Sequence, residues 1–307
     1  MKFSFTIFFS LAFFVAGISQ SNGDQSKAQD TLRCTDSRFE RVRKCEDFVD
    51  YDEGTEAFFH RKSGKPFTGI CKMCYYNDNL EVLLKFTNGK SDGQDSTYYE
   101  NGVLKLIRSH YQGKVDGTWA YFNPDGTKKW EKSYFAGSPE GKHIYYFPDG
   151  NIKKIENWKA GQMHGLKKEF FEGKNGQVGK LKKEINYKNG QFDGVYRTYM
   201  ESGQISIEQF FKNGVKDGLS SYYYDDGKLL YTENYSDGKK EGQVKRLFPS
   251  GNTWIIERYK KGQKHGMWEE YYEDGTLKYE AKWEKNELKE EHFFDENGDE
   301  ISPPEKK

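Results

Sequence analysis

The hydrophobic residues of this chain recur in short groups that are separated by polar, glycine-containing turns. Segments such as "LSSYYY" (219–224) and "KLLYTENY" (228–235) are rich in aromatic side chains and have the length of β-strands. No apolar pattern with a helical period persists between successive glycines. Short aromatic runs that are joined by Asp-Gly and Asn-Gly turns predict β-hairpins rather than helices.

The hairpin pattern repeats along the chain every 24 residues. Two separate series of glycines keep this spacing, and each contains a single step of 29 residues, five more than 24. The five extra residues fall in "EGKNGQVG" (172–179), so the register is the same on both sides of the insertion. Stacked units of this kind bury surface against their neighbours. We predict an all-β fold, an elongated array of β-hairpin repeats that forms a twisted open sheet or solenoid.

Two columns of large side chains are predicted to form a narrow core along the array. In each unit one residue, such as Tyr223, precedes the Asp-Gly turn, and another, such as Tyr235, lies near the end of the next strand. Adjacent residues in a strand face opposite sides, so the residue after the first column is expected on the outer face. This outer set, the recognition row, is the predicted binding face and consists of Tyr99, Phe147, Phe171, Tyr224, Phe248 and Tyr272.

The unit "NGxxDGxxxxYYxDGxLxxxxxYxNG" resembles the MORN-type repeat, in the variant found in bacterial YwqK-like proteins that are labelled antitoxins. The resemblance covers nine units over 65–285, with the five-residue insertion in 161–189. A degenerate copy and a tail follow at 286–307. The resemblance implies a binding or scaffolding role and, as one alternative, an antitoxin-like protein that neutralises a toxin partner.

The first residues have the pattern of a secretory signal peptide. Lys2 precedes an apolar run that is too short for a spanning helix, and the small residues Gly17 and Ser19 suit a cleavage site. We predict a signal peptide at 1–19 and a secreted, periplasmic or cell-envelope location. Membrane contact is not expected beyond this peptide. The segment 20–64, which contains cysteines, is predicted to cap the first repeat.

All four cysteines lie in the first quarter of the chain, at Cys34, Cys45, Cys71 and Cys74. An even number in an exported protein predicts disulfides, and four cysteines allow three pairings, which stay open at this point. "CKMC" at 71–74 also has the spacing of half a zinc site or a redox motif, but no second close pair accompanies it.

The charged residues do not favour a nucleic-acid partner, because 48 Lys and Arg balance 48 Asp and Glu. Nucleophile motifs and complete sets of metal ligands are absent from the sequence, so no enzymatic activity and no cofactor or metal are predicted. Many carboxylates precede a glycine and are expected to support turns by binding their own backbone, namely Asp92, Asp116, Asp193 and Asp217.

The pattern as a whole predicts an exported, non-catalytic repeat protein that binds or scaffolds a protein partner through an extended aromatic face. An alternative is a carbohydrate or cell-wall binding module, since exposed aromatic rings also stack on sugars.

Overall fold

The computed structural model describes residues 32–39, 42–47, 49–173 and 178–303. The chain divides into the units Met1–Thr31 and Leu32–Lys307, and all described residues belong to the second. The predicted signal peptide, 1–19, lies outside the described residues. Within them, no helix is long and apolar enough to cross a membrane.

Almost all regular structure in these residues is β-strand. Two short 3-10 helices, Ser37–Phe39 and Cys45–Asp47, accompany the first strands, which are β1 (Arg43–Lys44), β2 (Val49–Asp52) and β3 (Ala57–His60). The first half of the array contains β4 (Gly69–Cys74), β5 (Leu80–Thr87), β6 (Lys90–Ser91), β7 (Gly93–Tyr98), β8 (Leu104–Tyr111), β9 (Lys114–Val115), β10 (Gly117–Phe122), β11 (Lys128–Phe135), β12 (Ser138–Tyr146), β13 (Ile152–Lys159), β14 (Gln162–Met163) and β15 (Gly165–Phe170). The second half contains β16 (Leu181–Lys188), β17 (Gln191–Tyr199), β18 (Ile205–Lys212), β19 (Val215–Lys216), β20 (Gly218–Tyr223), β21 (Leu229–Ser236), β22 (Lys239–Lys240), β23 (Gly242–Leu247), β24 (Thr253–Lys260), β25 (Gln263–Lys264), β26 (Gly266–Tyr271), β27 (Leu277–Glu284), β28 (Glu287–Phe294) and β29 (Glu300–Ile301).

The strands form one open sheet in which each hairpin pairs with the next. From β4 to β29 all pairings are antiparallel, and β1 adds a short parallel pairing at the β4 edge. The β2–β3 pair forms a separate two-stranded sheet. Within the described residues no pairing joins the two ends, so the sheet does not close. The predicted all-β array of hairpins is confirmed.

The two turns of a unit have different geometries, and both depend on glycine. In the two-residue turn, Asn213 and Gly214 have φ of 50° and 85°, a combination that matches the twist of the flanking strands. In the other turn the Tyr224 amide donates to the Lys228 carbonyl at 2.8 Å. The Asp226 carboxylate accepts the Lys228 amide at 3.0 Å, which explains why Asp or Asn precedes the glycine here.

The glycine series that contains Gly218 and Gly242 marks a β-bulge, not a turn. In "SDGKKEG" (236–242) the turn lies at 237–238, and the pairing continues through β22. Tyr235 pairs with Lys240, whereas Thr232 pairs with Lys245, so β23 gains two residues relative to β21 at this point. Gly242, with φ of 75°, lies in the bulge. The sequence predicts a turn at glycines of this series, as at Asp217 and Gly218, but a glycine with positive φ suits a bulge equally well.

The sheet is a single layer, and the two aromatic columns lie on its opposite faces. Face A is the face of the sheet that carries Tyr235, and face B is the face that carries Tyr223. Tyr235 pairs with Gly218 of the neighbouring strand. The expected common core between the columns is therefore not formed. Most of the buried residues of the array lie on face A, and several of them are polar, including His143, Glu156 and Glu233.

The buried charges on face A are paired. The Asp95 carboxylate lies 3.2 Å from His110 Nδ1, and Lys240 Nζ lies 2.7 Å from the Glu233 carboxylate. Lys154 Nζ is similarly placed 2.7 Å from Glu156. A narrow buried strip of rings and ion pairs thus takes the place of a thick apolar core.

The N-terminal end of the array is covalently closed. Disulfides join Cys34 to Cys74 and Cys45 to Cys71, so the predicted disulfides are confirmed and their pairing is defined. The Lys72 ammonium donates to the carbonyl of Cys34 at 2.6 Å. The segment before β4 is therefore fixed against the first repeat, and two disulfides suggest an oxidising compartment.

Candidate binding site

The tyrosines of the recognition row connect neighbouring units. The hydroxyls of Tyr99, Tyr224 and Tyr272 donate to the carbonyls of Phe122, Leu247 and Phe294 at 2.8, 2.8 and 3.1 Å. Each acceptor belongs to the next unit of the array. All six residues of the row are half-buried, as are their neighbours in the first column. The expected contrast between an exposed row and a buried column is not observed, because a single-layer sheet half-covers both faces.

The environment of the Tyr99 hydroxyl keeps it protonated. Burial raises the pKa of Tyr99 to about 12, and the nearby hydroxyl of Tyr121, at 3.3 Å, acts in the same direction. A neutral phenol remains a donor at physiological pH, so the connection to the next unit persists.

The phenylalanines of the row cannot form this connection, because they have no hydroxyl. Phe248 stacks on Trp254 with ring centroids 5.6 Å apart. Phe147 and Phe171, in successive units, line a recess of about 410 Å³. The ammonium groups of Lys153 and Lys182 lie 5.5 and 5.4 Å from the centroids of these two rings. The recess also contains Lys154, Glu169, Phe170 and Glu172.

Face A carries a continuous series of rings in tilted or edge contact across three units. His110, Trp119, Tyr134, His143 and Trp158 contact one another in turn, with centroids 5.3 to 5.7 Å apart. His143 is 3% exposed, and burial lowers the pKa of its imidazole. These rings pack against each other and have a structural role.

The acidic residues that precede the bulge glycines bind the next unit. Asp116, Asp193 and Asp217 accept the amides of Ala136, Asn213 and Asp237 at 2.9, 3.2 and 3.4 Å. The prediction that they bind their own backbone was wrong for these three. Each carboxylate reaches the two-residue turn of the following hairpin, which stacking brings alongside.

The described residues contain no group of three or more His, Cys, Asp or Glu side chains that could hold a metal ion. The acidic side chains that the sequence analysis considered are distributed along the sheet as turn and bulge residues.

A second surface was missed by the sequence analysis. At the two-residue turns, Tyr111 and Phe135 are 60% and 67% exposed. They lie at the ends of β8 and β11 and border a groove of about 650 Å³ with Asp92 and Asp116. The sequence did contain a signal, because lysine occupies the same position at Lys159, Lys188, Lys212 and Lys260.

Four segments of the chain match the MORN repeat variant, at 139–160, 192–213, 216–237 and 264–285. Each of the four ends at the first residue of a two-residue turn, namely Ala160, Asn213, Asp237 and Lys285. These four segments thus match MORN repeats of the variant type. No curated protein matches the chain.

Two solved structures share similarity with the chain at 12% identity. "Crystal Structure of TcdB2-TccC3-Cdc42" covers 73% of this chain with a TM-score of 0.21, and "Crystal Structure of TcdB2-TccC3-TEV" covers 78% with a TM-score of 0.20. The chain spans only 14% of the length of each of them.

Proposed function

We propose that this chain is an exported, non-catalytic binding module that recognises a protein partner at the recess between Phe147 and Phe171. One observation supports the proposal most strongly. The recess lies in the recognition row where the tyrosine connection between neighbouring units is missing.

The size of the recess suits an anchoring side chain of a partner. Where a tyrosine is present, as at Tyr99, its hydroxyl fills the gap and binds the carbonyl of the next unit. A phenylalanine leaves that gap open, and about 410 Å³ lies within the range of ligand pockets. Protein interfaces often concentrate their binding energy where one aromatic or aliphatic residue enters such a pocket.

The charges around the recess suit a protein segment rather than a polyanion. Lys153, Lys154 and Lys182 are accompanied by Glu169 and Glu172. Positively and negatively charged side chains lie close together here. A partner segment with an apolar anchor and a neighbouring carboxylate would therefore find a complementary surface.

Export is supported by the two disulfides together with the N-terminal sequence pattern. Disulfides persist in oxidising compartments. The module would therefore meet its partner in the cell envelope or outside the cell. An antitoxin-like role would require that the partner is a toxin whose activity falls on binding.

The test uses Phe147→Tyr, which retains the ring and adds the hydroxyl found at Tyr99. The matched control is Phe248→Tyr in the same row, where Trp254 already covers the ring. A photo-crosslinking residue replaces Lys153 at the edge of the recess. When Phe147 is unchanged, it should capture a partner from the medium or the cell envelope. We expect capture to fall with Phe147→Tyr and to persist with Phe248→Tyr. Equal capture by both variants would contradict the proposed recess.

A further inference from the structure

Each long strand ends with one side chain beside a two-residue turn. In two consecutive units, this side chain departs from the repeat. Most residues at this strand-end position are polar, and Tyr111 and Phe135 are the only aromatic ones. They are 60% and 67% exposed, so their rings contribute little to packing. Two large exposed rings side by side form a surface that the stability of the array does not explain.

The two rings belong to neighbouring hairpins. Tyr111 pairs with Lys114 and Phe135 pairs with Ser138 at successive turns of the sheet. Two strand spacings therefore separate them, about 10 Å. The groove of about 650 Å³ continues past Tyr111 to Thr87 and Asn88 at the preceding turn. This is an elongated site with two flat apolar platforms, and its length suits a chain of at least two sugar rings.

The polar groups of the groove include hydrogen-bond donors and acceptors, and their charges sum to zero. Asp92 and Asp116 are matched by Lys90 and Lys114, so the site has no net charge. Asp116 uses Oδ2 to accept the Ala136 amide. Within the described residues, the Asp92 carboxylate has neither a hydrogen bond nor an ion pair. It is half-buried and borders the groove, where hydroxyl groups of a ligand could donate to it.

We propose that Tyr111, Phe135, Asp92 and Asp116 form a binding site for an uncharged oligosaccharide. The C–H faces of the sugars stack on the two rings, and the sugar hydroxyls donate to the two carboxylates. Balanced charge disfavours a polyanion. This site is separate from the recess at Phe147 and Phe171, and neither proposal depends on the other.

The test replaces both rings with lysine, the residue that four other units carry at this position. Tyr111→Lys with Phe135→Lys should therefore keep the fold, which thermal melting checks. The intact chain is titrated calorimetrically with cellohexaose, laminarihexaose, mannohexaose, xylohexaose and chitohexaose. We expect at least one of them to bind, and the double variant to weaken that binding about tenfold or more. Asp92→Asn should weaken it as well.

Trp254→Ala is the matched control, because Trp254 is an exposed ring that lies outside the groove. The affinity of the Trp254→Ala variant for the sugar should equal that of the unmodified chain. The proposal is overturned if none of the five sugars binds, or if the double lysine variant binds them equally well. Tighter binding of a heparin hexasaccharide at the same residues would also overturn it, as would a displayed peptide that depends on both rings.

Discussion

The hydroxyl oxygen of Tyr224 lies 2.8 Å from the carbonyl oxygen of Leu247, and this hydrogen bond joins two consecutive units of the array. The equivalent bonds from Tyr99 and Tyr272 show that the contact recurs along the sheet. The stability of each unit therefore depends on polar side-chain contacts with its neighbour as well as on strand pairing.

Removing this hydroxyl should lower stability. We expect Tyr224→Phe to reduce the free energy of unfolding by about 1 kcal/mol, the usual value for one hydrogen bond. Tyr223→Phe is the control, since no hydrogen bond of the Tyr223 hydroxyl is found in the described part of the chain. Thermal or urea unfolding measures the difference, and equal losses in the two variants would refute the role of the Tyr224–Leu247 bond.

Reduction of the disulfides should loosen one end of the array only. The bonds Cys34–Cys74 and Cys45–Cys71 enclose sequence separations of 40 and 26 residues. Each should stabilise the first unit by about 3–4 kcal/mol through loop closure. Because units contact only their neighbours, hydrogen exchange after reduction should increase before β5 and stay unchanged beyond β20. Uniform loss of protection would show that the array unfolds as one cooperative body.

Stability should depend on pH through His143. Burial lowers the pKa of this imidazole below its ordinary value of 6.5, against the opposing effect of the Ser133 carbonyl at 2.9 Å. The nearby charges of Lys132 and Lys154 also lower it, and that of Glu156 raises it. Above pH 6.5 the ring is neutral in both the folded and the unfolded chain. As the pH falls from there through the folded-state pKa, the unfolded chain binds a proton that the buried ring resists, so stability is lost.

The control for this pH effect is His143→Tyr, because Tyr196 occupies the equivalent position and the substitution removes the imidazole. Melting temperatures between about pH 8 and 5 should fall less in the variant than in the unmodified chain. Parallel curves would exclude His143 as the source of the pH dependence.

Deletion of one whole unit should preserve the fold. Removing residues 214–237 joins Asn213 directly to Gly238, which recreates an Asn-Gly turn between β18 and β22. The variant should remain rich in β-structure and melt at a lower temperature. Deleting Lys216 alone should disturb the strand register and lower stability more than the loss of one residue suggests. Lys216 pairs with Phe211, and its carbonyl accepts the Gly238 amide. Circular dichroism of both variants tests this, and a helical spectrum or an unfolded whole-unit variant would contradict it.

The fold was predictable because each hairpin is encoded locally. Gly214 and Gly227 occupy turns that need a positive φ, and the short aromatic strands lie between them. The period of 24 residues then fixes the register of every following unit. The presence of the disulfides was also predictable, but their pairing depends on how the first residues lie against β4.

Contacts between units could not be inferred from one unit. Asp217 and Gly218 look like a turn in the sequence, yet they lie in a bulge, and the Asp217 carboxylate binds the amide of Asp237. Likewise, alternation places Tyr223 and Tyr224 on opposite faces but does not reveal that both are half-buried. The groove at Tyr111 could not be inferred from the repeated positions, because the residues that form it depart from the repeat.

The two ends of the sheet differ in a way that matters under mechanical load. At one end, the Cys34–Cys74 and Cys45–Cys71 bonds prevent the enclosed chain from extending. At the other, β29 is held by its pairing with Phe293 and Phe294 and by the Glu300 carboxylate, which lies 2.7 Å from His292 Nδ1. A pulling force on the two termini would therefore peel hairpins from the C-terminal end, lengthening the chain by about 80 Å for each unit of 24 residues. The extension would stop at the covalently closed end, so the array would unfold under load from one end only.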